Sequence, residues 1–391
     1  MSRILYGVQG EGRGHATRSL RVLQALLGEG HEVLVLTGGD AIPVLAPILG
    51  NRIVEIPILR YRYNYHGSLC PWRTLFHNIG PLFRMAFRNL ALESFVQRFK
   101  PVVALSDFEP VTCRLARIFR MPLVAVDHQH FLTETRLPRL RGLGNLLALP
   151  VYRLGTHLLS GWPRRVIVSS FHHFPRKRGS RAVFVGPFLA EELRVLQPRD
   201  DGHVTVYLKR PQYLKTLLLL VAAFPDRTFE VFSSWEKEWA EPLPRNARLR
   251  PVSRAAFLES LASAHALVTT AGNQVLGEAI WLGKPVLAIP EVGVLEQTLN
   301  ARALEESGCG MVCDLRDLTA ETWVRFEDLR VGFLRGLQLF RDRHPDYDGL
   351  QATLRVVRRL VRATVTAQDS KTMSAAGSAT DMASSFIPGT R

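Results

Sequence analysis

Short, wholly apolar runs alternate along this chain with longer stretches in which apolar residues return every three or four positions, and glycine, proline or polar clusters separate the two. The first pattern predicts buried strands and the second amphipathic helices. Residues 4–8 are the first run. After them come the turn Gln9-Gly10-Glu11-Gly12-Arg13-Gly14-His15, a helix with Leu20, Val22, Leu23, Leu26 and Leu27 inward, and a strand at 32–37. This is a βαβ unit of a doubly wound parallel sheet. Further strands are expected at 102–106, 123–126, 166–169 and 182–185. A charged stretch at 191–202, with Pro198 and Asp200-Asp201-Gly202, reads as a linker. The pattern then starts again, with strands at 204–208, 229–232, 248–251, 266–268, 286–289 and 311–313 and helices at 212–224, 257–264, 274–282 and from 295 to 307. A last helix at 350–362 carries Leu350, Leu354, Val357 and Val361 on one side. The predicted organisation is one Rossmann-like α/β domain over 1–187, a linker over 188–203, a second such domain over 204–345, a helix over 346–365, and a tail over 366–391 too poor in bulky residues to order.

Composition narrows the partners. A chain of 391 residues with 47% hydrophobic and 22% charged residues is globular and long enough for two or three domains. Fifty basic against 35 acidic residues give +15, and only seven of the basic residues are lysine. Arginine forks grip phosphates and carboxylates, so phosphorylated substrates, anionic lipid surfaces and nucleic acid all fit, as does a plain base-composition bias of the genome. In residues 52–99 arginines interleave with aromatics, as in Arg60-Tyr61-Arg62-Tyr63, Trp72-Arg73, Phe83-Arg84 and Phe87-Arg88. A solvated helix with snorkelling arginines ranks first for that stretch, a membrane-facing surface for a substrate with phosphate and lipid parts second and nucleic acid last. Cys70, Cys113, Cys309 and Cys313 show neither metal-ligand nor disulfide spacing. With no signal-peptide pattern and no apolar run of roughly 18 residues, a cytosolic protein is expected, with at most surface contact at the inner face of a membrane.

The chemistry concentrates in residues 267–301. Their strand ends at Thr269-Thr270, Ala271-Gly272-Asn273 turns the chain, and Gln274 opens a helix. A helix start carries about half a positive charge and free N–H groups, so a diphosphate is its natural ligand. Glu278, one turn in, can accept two hydrogen bonds from a ribose diol, or be merely solvated. Polar clusters also close two strands of the first domain, Asp107-Phe108-Glu109-Pro110 and Asp127-His128-Gln129-His130, and in an open parallel sheet such ends face the ligand crevice. Asp127, His128 and His130 can be read as a metal site, but a fourth ligand is not apparent, so polar contacts to a substrate are expected instead. The glycine turn at 9–15 is a weak dinucleotide signal, because Leu36-Thr37-Gly38-Gly39 puts no acid at the end of the second strand and Asp40 is a poor substitute.

The order Gly272, Glu278, Gly283-x-Pro285, Glu296-Gln297-x-x-Asn300-Ala301 resembles the donor segment of GT-B glycosyltransferases, in particular the MurG-like, family 28-like group. Residues Gly7 to Arg18 are similar to the GVQGxGRGHxxR opening of a bacterial and archaeal glycosyltransferase-like family. The resemblance implies two Rossmann-like doubly wound domains facing across a cleft, with the final helix returning to the first. On the donor side it places Gly272 and Asn273 at the phosphates, Glu278 on ribose and Gln297 at the sugar, and Gln274 and Glu296 are expected to bind the donor beside them. On the acceptor side it places Gly12, Gly14, Glu109, Asp127, His128 and His130. The base is expected to be His15, with Asp107 as the alternative; His15 capping the helix or binding phosphate is the other reading. The Lys209-Arg210-Pro211 turn departs from the glycine-rich loop of the wider superfamily, and 251–254 is a place where a nucleobase could be held. The implied activity is inverting transfer of a hexose from a nucleotide diphosphate sugar, uridine-linked by first choice, to a hydroxyl acceptor, lipid-linked by first choice, with no cofactor and no metal. The competing readings are a nucleotide-sugar hydrolase or epimerase and a silent nucleotide-sugar binding protein.

Overall fold

The computed structural model describes all residues except 65–68, 141–142, 209–210, 234–242, 252 and 385–391. The first domain is built from β1 (Arg3–Val8), α1 (Arg13–Gly28), β2 (Glu32–Thr37), α2 (Ile42–Leu49), β3 (Ile53–Glu55), α3 (Pro71–Phe99), β4 (Val103–Asp107), α4 (Pro110–Ile118), β5 (Leu123–Asp127), α5 (Phe131–Glu134), α6 (Leu143–Ser160), β6 (Arg165–Ser169) and β7 (Val183–Val185). Its seven strands are all parallel in the order β3-β2-β1-β4-β5-β6-β7. After α7 (Glu192–Val195) the second domain follows with β8 (Val204–Tyr207), α8 (Pro211–Ala223), β9 (Phe229–Ser233), β10 (Ala247–Pro251), α9 (Arg254–Ser263), β11 (Ala266–Thr269), α10 (Asn273–Trp281), β12 (Val286–Ala288), α11 (Leu295–Glu306), β13 (Gly310–Val312) and α12 (Ala320–Arg343). Its order, β10-β9-β8-β11-β12-β13, is again all parallel.

Helices cover both faces of each sheet, which is why β4, β5 and β11 are buried at every position and run apolar without alternation up to the polar residues at their carboxyl ends. Several elements lie outside the sequence expectations, among them the short helices α2, α4, α5 and α7. β3 adds a short edge strand, α6 runs on through Pro150, and α12 fills residues after the last strand. A proline inside a helix removes one hydrogen bond and bends the axis without having to end it.

The last helix, α13 (Leu350–Ser384), lays Leu350, Leu354, Val357 and Val361 into the core that holds Val22, Leu23 and Leu26 of α1, and Arg358 forks onto Glu29. It runs past residue 365 into the stretch whose composition predicts no order, since no proline interrupts residues 350–384. The supposed linker is anchored too: Phe188, Leu189 and Leu193 are buried.

The domains share a core in which Phe131, Val168 and Phe171 of the first meet Leu258, Leu276 and Leu299 of the second. Both chain crossings between them pass one point. A Cβ on Gly186 would meet Tyr347 O at 1.6 Å and one on Gly349 would meet Gly186 O at 2.1 Å, while Gly349 N–H donates to Pro187 O at 3.1 Å. Among the described residues no helix is long and apolar enough to cross a membrane.

Candidate active site

A cleft of about 2980 Å³ opens between the carboxyl ends of the two sheets and is lined from both domains. On the first domain its wall is the start of α1. Gly12 caps that helix with φ 72°, a left-handed conformation suited to glycine, and its N–H donates to Asp40 Oδ2 at 2.9 Å. Gly14 and His15 follow on the cleft wall. His15 Nδ1 lies 2.8 Å from Asp107 Oδ1. Arg18, one turn later on the same face, forks onto Asp107 through Nη2 to Oδ1 and through Nε to Oδ2 at 2.7 Å, and Ser19 Oγ donates to Oδ2 at 2.9 Å. Arg18 Nη2 also sits 2.9 Å from His15 Nδ1, and both nitrogens face the same carboxylate oxygen, Asp107 Oδ1. The stronger acceptor is the carboxylate, so Nδ1 is the protonated nitrogen and Nε2 keeps its lone pair for the cleft.

Asp107 itself is fully buried and its two oxygens take bonds from three side chains. Burial alone would raise its pKa, yet Arg18 and His15 outweigh it and hold the carboxyl well below the usual carboxylate range. A carboxylate so enclosed cannot reach an acceptor proton, so the alternative of Asp107 as base is corrected: it positions His15.

Four further acceptor-side expectations are also corrected. Glu109 is the N-cap of α4; its oxygens accept from Val111 N–H at 2.7 Å and Thr112 N–H at 2.6 Å, and burial pushes its carboxyl up to about 7. Asp127 accepts from the backbone N–H of His130 at 3.0 Å and from its Nδ1 at 2.7 Å, and both residues are buried off the cleft. Burial would lower the His130 pKa, but Asp127 outweighs it and the net shift is upward. His128 turns the other way, with Nδ1 3.0 Å from Ser169 O and Nε2 3.0 Å from Asn300 Oδ1, and burial lowers its pKa against the pull of Glu296. Pointed apart in this way, His128 and His130 do not form a ligand pair. The residue between them, Gln129, faces the cleft and accepts weakly from Arg18 at 3.4 Å while donating to Glu296 at 3.5 Å.

On the second domain, Gly272 caps α10 and the first N–H groups of that helix open on the cleft. Asn273 does not offer its side chain there: Oδ1 accepts from Phe171 N–H at 3.1 Å and Nδ2 donates to Ser169 O at 3.2 Å, so it ties the domains together. Gln274 Nε2 donates to Phe188 O at 3.0 Å and to Glu278 Oε1 at 2.7 Å. Glu278 is buried, and Arg254, which opens α9, donates to it twice, at 2.6 and 3.1 Å. Gln297 accepts from Glu291 N–H at 2.7 Å through Oε1, leaving its amide nitrogen for the cleft it lines, and Glu296 lies beside it. Lys209 and Arg210 lie outside the described residues, as does Val252 in the expected nucleobase stretch. Sequence reasoning did not single out Gln129, named Arg254 only as the end of the stretch where a nucleobase could be held, and Arg18 only as part of a motif.

Comparisons with known proteins agree with this two-domain architecture. A family model described as Glycosyl transferase family 1 matches residues 2–328. An uncharacterized glycosyltransferase of Methanosarcina acetivorans is 24% identical over 335 residues, covering 79% of this chain and 84% of its own. Among solved structures, the glycotransferase of kitacinnamycin superposes with a TM-score of 0.67 at 17% identity, covering 92% of this chain and 99% of its own. The glycosyltransferase VinC, solved in complex with dTDP, gives 0.60 at 17% identity over 92% and 100%.

Proposed function

The chain belongs to glycosyl transferase family 1, and on that premise we propose that it moves a hexose from a nucleoside diphosphate in the second domain to an acceptor hydroxyl in the first, with inversion. It is a glycosyltransferase, and its two facing Rossmann-like domains are the GT-B architecture. The observation that carries the roles is the Asp107–His15 bond, which presents Nε2 to the cleft as an acceptor. His15 takes the acceptor proton as the acceptor oxygen bonds to the anomeric carbon. The bond from that carbon to the diphosphate oxygen breaks, and its electron pair leaves on the diphosphate. In this reading that charge grows against the N–H groups at the start of α10, which opens on the cleft at Gly272, and no metal ion is called for. That VinC holds dTDP supports a nucleoside diphosphate as the donor's leaving group here. The order of donor residues from Gly272 to Ala301 favours kinship with the MurG-like group.

For the acceptor, two helices at the cleft mouth favour a lipid-linked molecule met at an anionic membrane face. Trp72, Phe76, Ile79 and Phe83 on α3 and Leu147, Val151, Leu154 and Leu158 on α6 each follow a four-three-four spacing and are more than half exposed. Such stripes are the buried face of an ordinary amphipathic helix, here turned outward. The net charge of +15 suits an anionic surface.

The test is release of nucleoside diphosphate from UDP- and dTDP-hexoses with and without a bacterial lipid extract, with His15→Ala as the blank. Release that requires the extract is expected. Release without it would make the protein a hydrolase, and calorimetric binding without any release would make it a silent binding protein.

A further inference from the structure

Glu278 has less room for a ribose than its place on α10 implies. Its Oε1 accepts from Arg254 Nη2 at 2.6 Å and from Gln274 Nε2 at 2.7 Å, and Oε2 accepts from Arg254 Nη1 at 3.1 Å. An ionised carboxylate offers about four lone-pair sites, two on each oxygen, so three are filled and one remains, on Oε2. The donors are not easily turned away. Gln274 uses both amide hydrogens, one on Glu278 and one on Phe188 O, and Arg254 stands at the first position of a helix whose N-cap, Ser253, accepts from Ala256 N–H. A bidentate guanidinium–carboxylate pair is also the strongest arrangement these groups can make. A ribose presents two hydroxyls along such a helix, and this carboxylate can accept one.

Resting on the donor reading given above, we propose that the site engages the ribose through a single hydroxyl and does not require the 2′-hydroxyl. Donors built on 2′-deoxynucleoside diphosphates are then taken on a par with those built on ribonucleoside diphosphates, and Arg254 sets that tolerance. It is a positioning residue, acting through Glu278.

The experiment is calorimetric titration with UDP and with 2′-deoxyuridine diphosphate, which differ only in the 2′-hydroxyl, on the full chain and on its Arg254→Met variant. A hydrogen bond from that hydroxyl to a carboxylate would make UDP the tighter ligand by on the order of tenfold or more. The expected result for the unaltered chain is a ratio of dissociation constants below about fivefold, short of that single charged bond. In Arg254→Met two sites on Glu278 come free, and UDP is expected to gain roughly tenfold over the deoxy ligand. A ratio above about fivefold in the unaltered chain overturns the proposal, whether or not the variant folds. An unchanged ratio in a folded variant overturns the part given to Arg254. If neither nucleotide binds, the donor reading itself fails; if both bind and only the ratio is wrong, that reading stands and this one falls.

Discussion

Each domain holds one buried carboxylate gripped by an arginine fork, and the two are built for different work. Asp107 is fully buried, and the Arg18 side chain that pairs with it is 6% exposed. Glu278 is as buried, but the Arg254 side chain is 36% exposed on the cleft wall. Arg18 has no water to return to, so the first pair is a fixed mount whose further bond holds an imidazole on the cleft wall. Arg254 can hydrate, so the second pair strands no buried cation if its acid is lost, and its carboxylate keeps one acceptor site for a ligand. The lesson is that the exposure of the cation, rather than the burial of the acid, separates a scaffold from a binding group.

The comparison breaks most visibly at Asp107. Asp107→Ala leaves Arg18 charged and unpaired in the interior, and a loss of roughly 3–5 kcal/mol is expected in urea unfolding, together with loss of turnover. An unchanged unfolding midpoint would show that Arg18 finds other partners and that the mount is not rigid. His15→Ala removes only the turned group: kcat should fall about 10²–10⁴-fold while the dissociation constant for nucleoside diphosphate stays put. If nucleotide affinity fell as far as kcat, His15 would be a phosphate ligand, the other role its position at the helix start allows. Glu278→Ala should weaken nucleotide binding by about 1–3 kcal/mol, the worth of bonds to a charged group, yet cost less than about 1 kcal/mol in folding because Arg254 is free to hydrate. A folding loss as large as that at Asp107 would erase the distinction between the pairs.

The smallest effect concerns pH. Burial works against protonation of His130 but Asp127 prevails, so the folded chain holds the proton more tightly than the unfolded one. That contribution is complete below the unfolded histidine value of about 6.5 and is lost as pH rises through the higher folded value. The urea midpoint should therefore drift down on going from acid to alkaline pH across that window, and less so in His130→Asn. A drift of the opposite sign would mean that burial wins.

The architecture was legible because buried parallel strands read as unbroken apolar runs and because glycine and proline mark their ends. Within the site, the sequence could say which residues stand at strand ends but not which way each one turns. Residues 127–130 illustrate this. Two histidines suggested ligands, yet His128 and His130 fold inward onto Asn300 and Asp127, and Gln129 between them reaches the cleft. Glu109 was legible in principle, since an acid directly before a proline that opens a helix is placed to cap it. Arg18 lies three positions after His15 and so shares its face. Arg254 had no such local signal: it is 24 residues from Glu278, and only the folded sheet brings the helix starts together.

With both crossings pressed together at Gly186 and Gly349, the two halves are spliced at one narrow pivot beside their shared core. Beyond the pivot, Asn273 on Ser169 and Phe171 and Asn300 on His128 act as stays that hold the gape. A single methyl group at either glycine would wedge the crossing strands apart. Leverage would carry that wedge outward, so that a change far from the chemistry would be felt where donor and acceptor must meet.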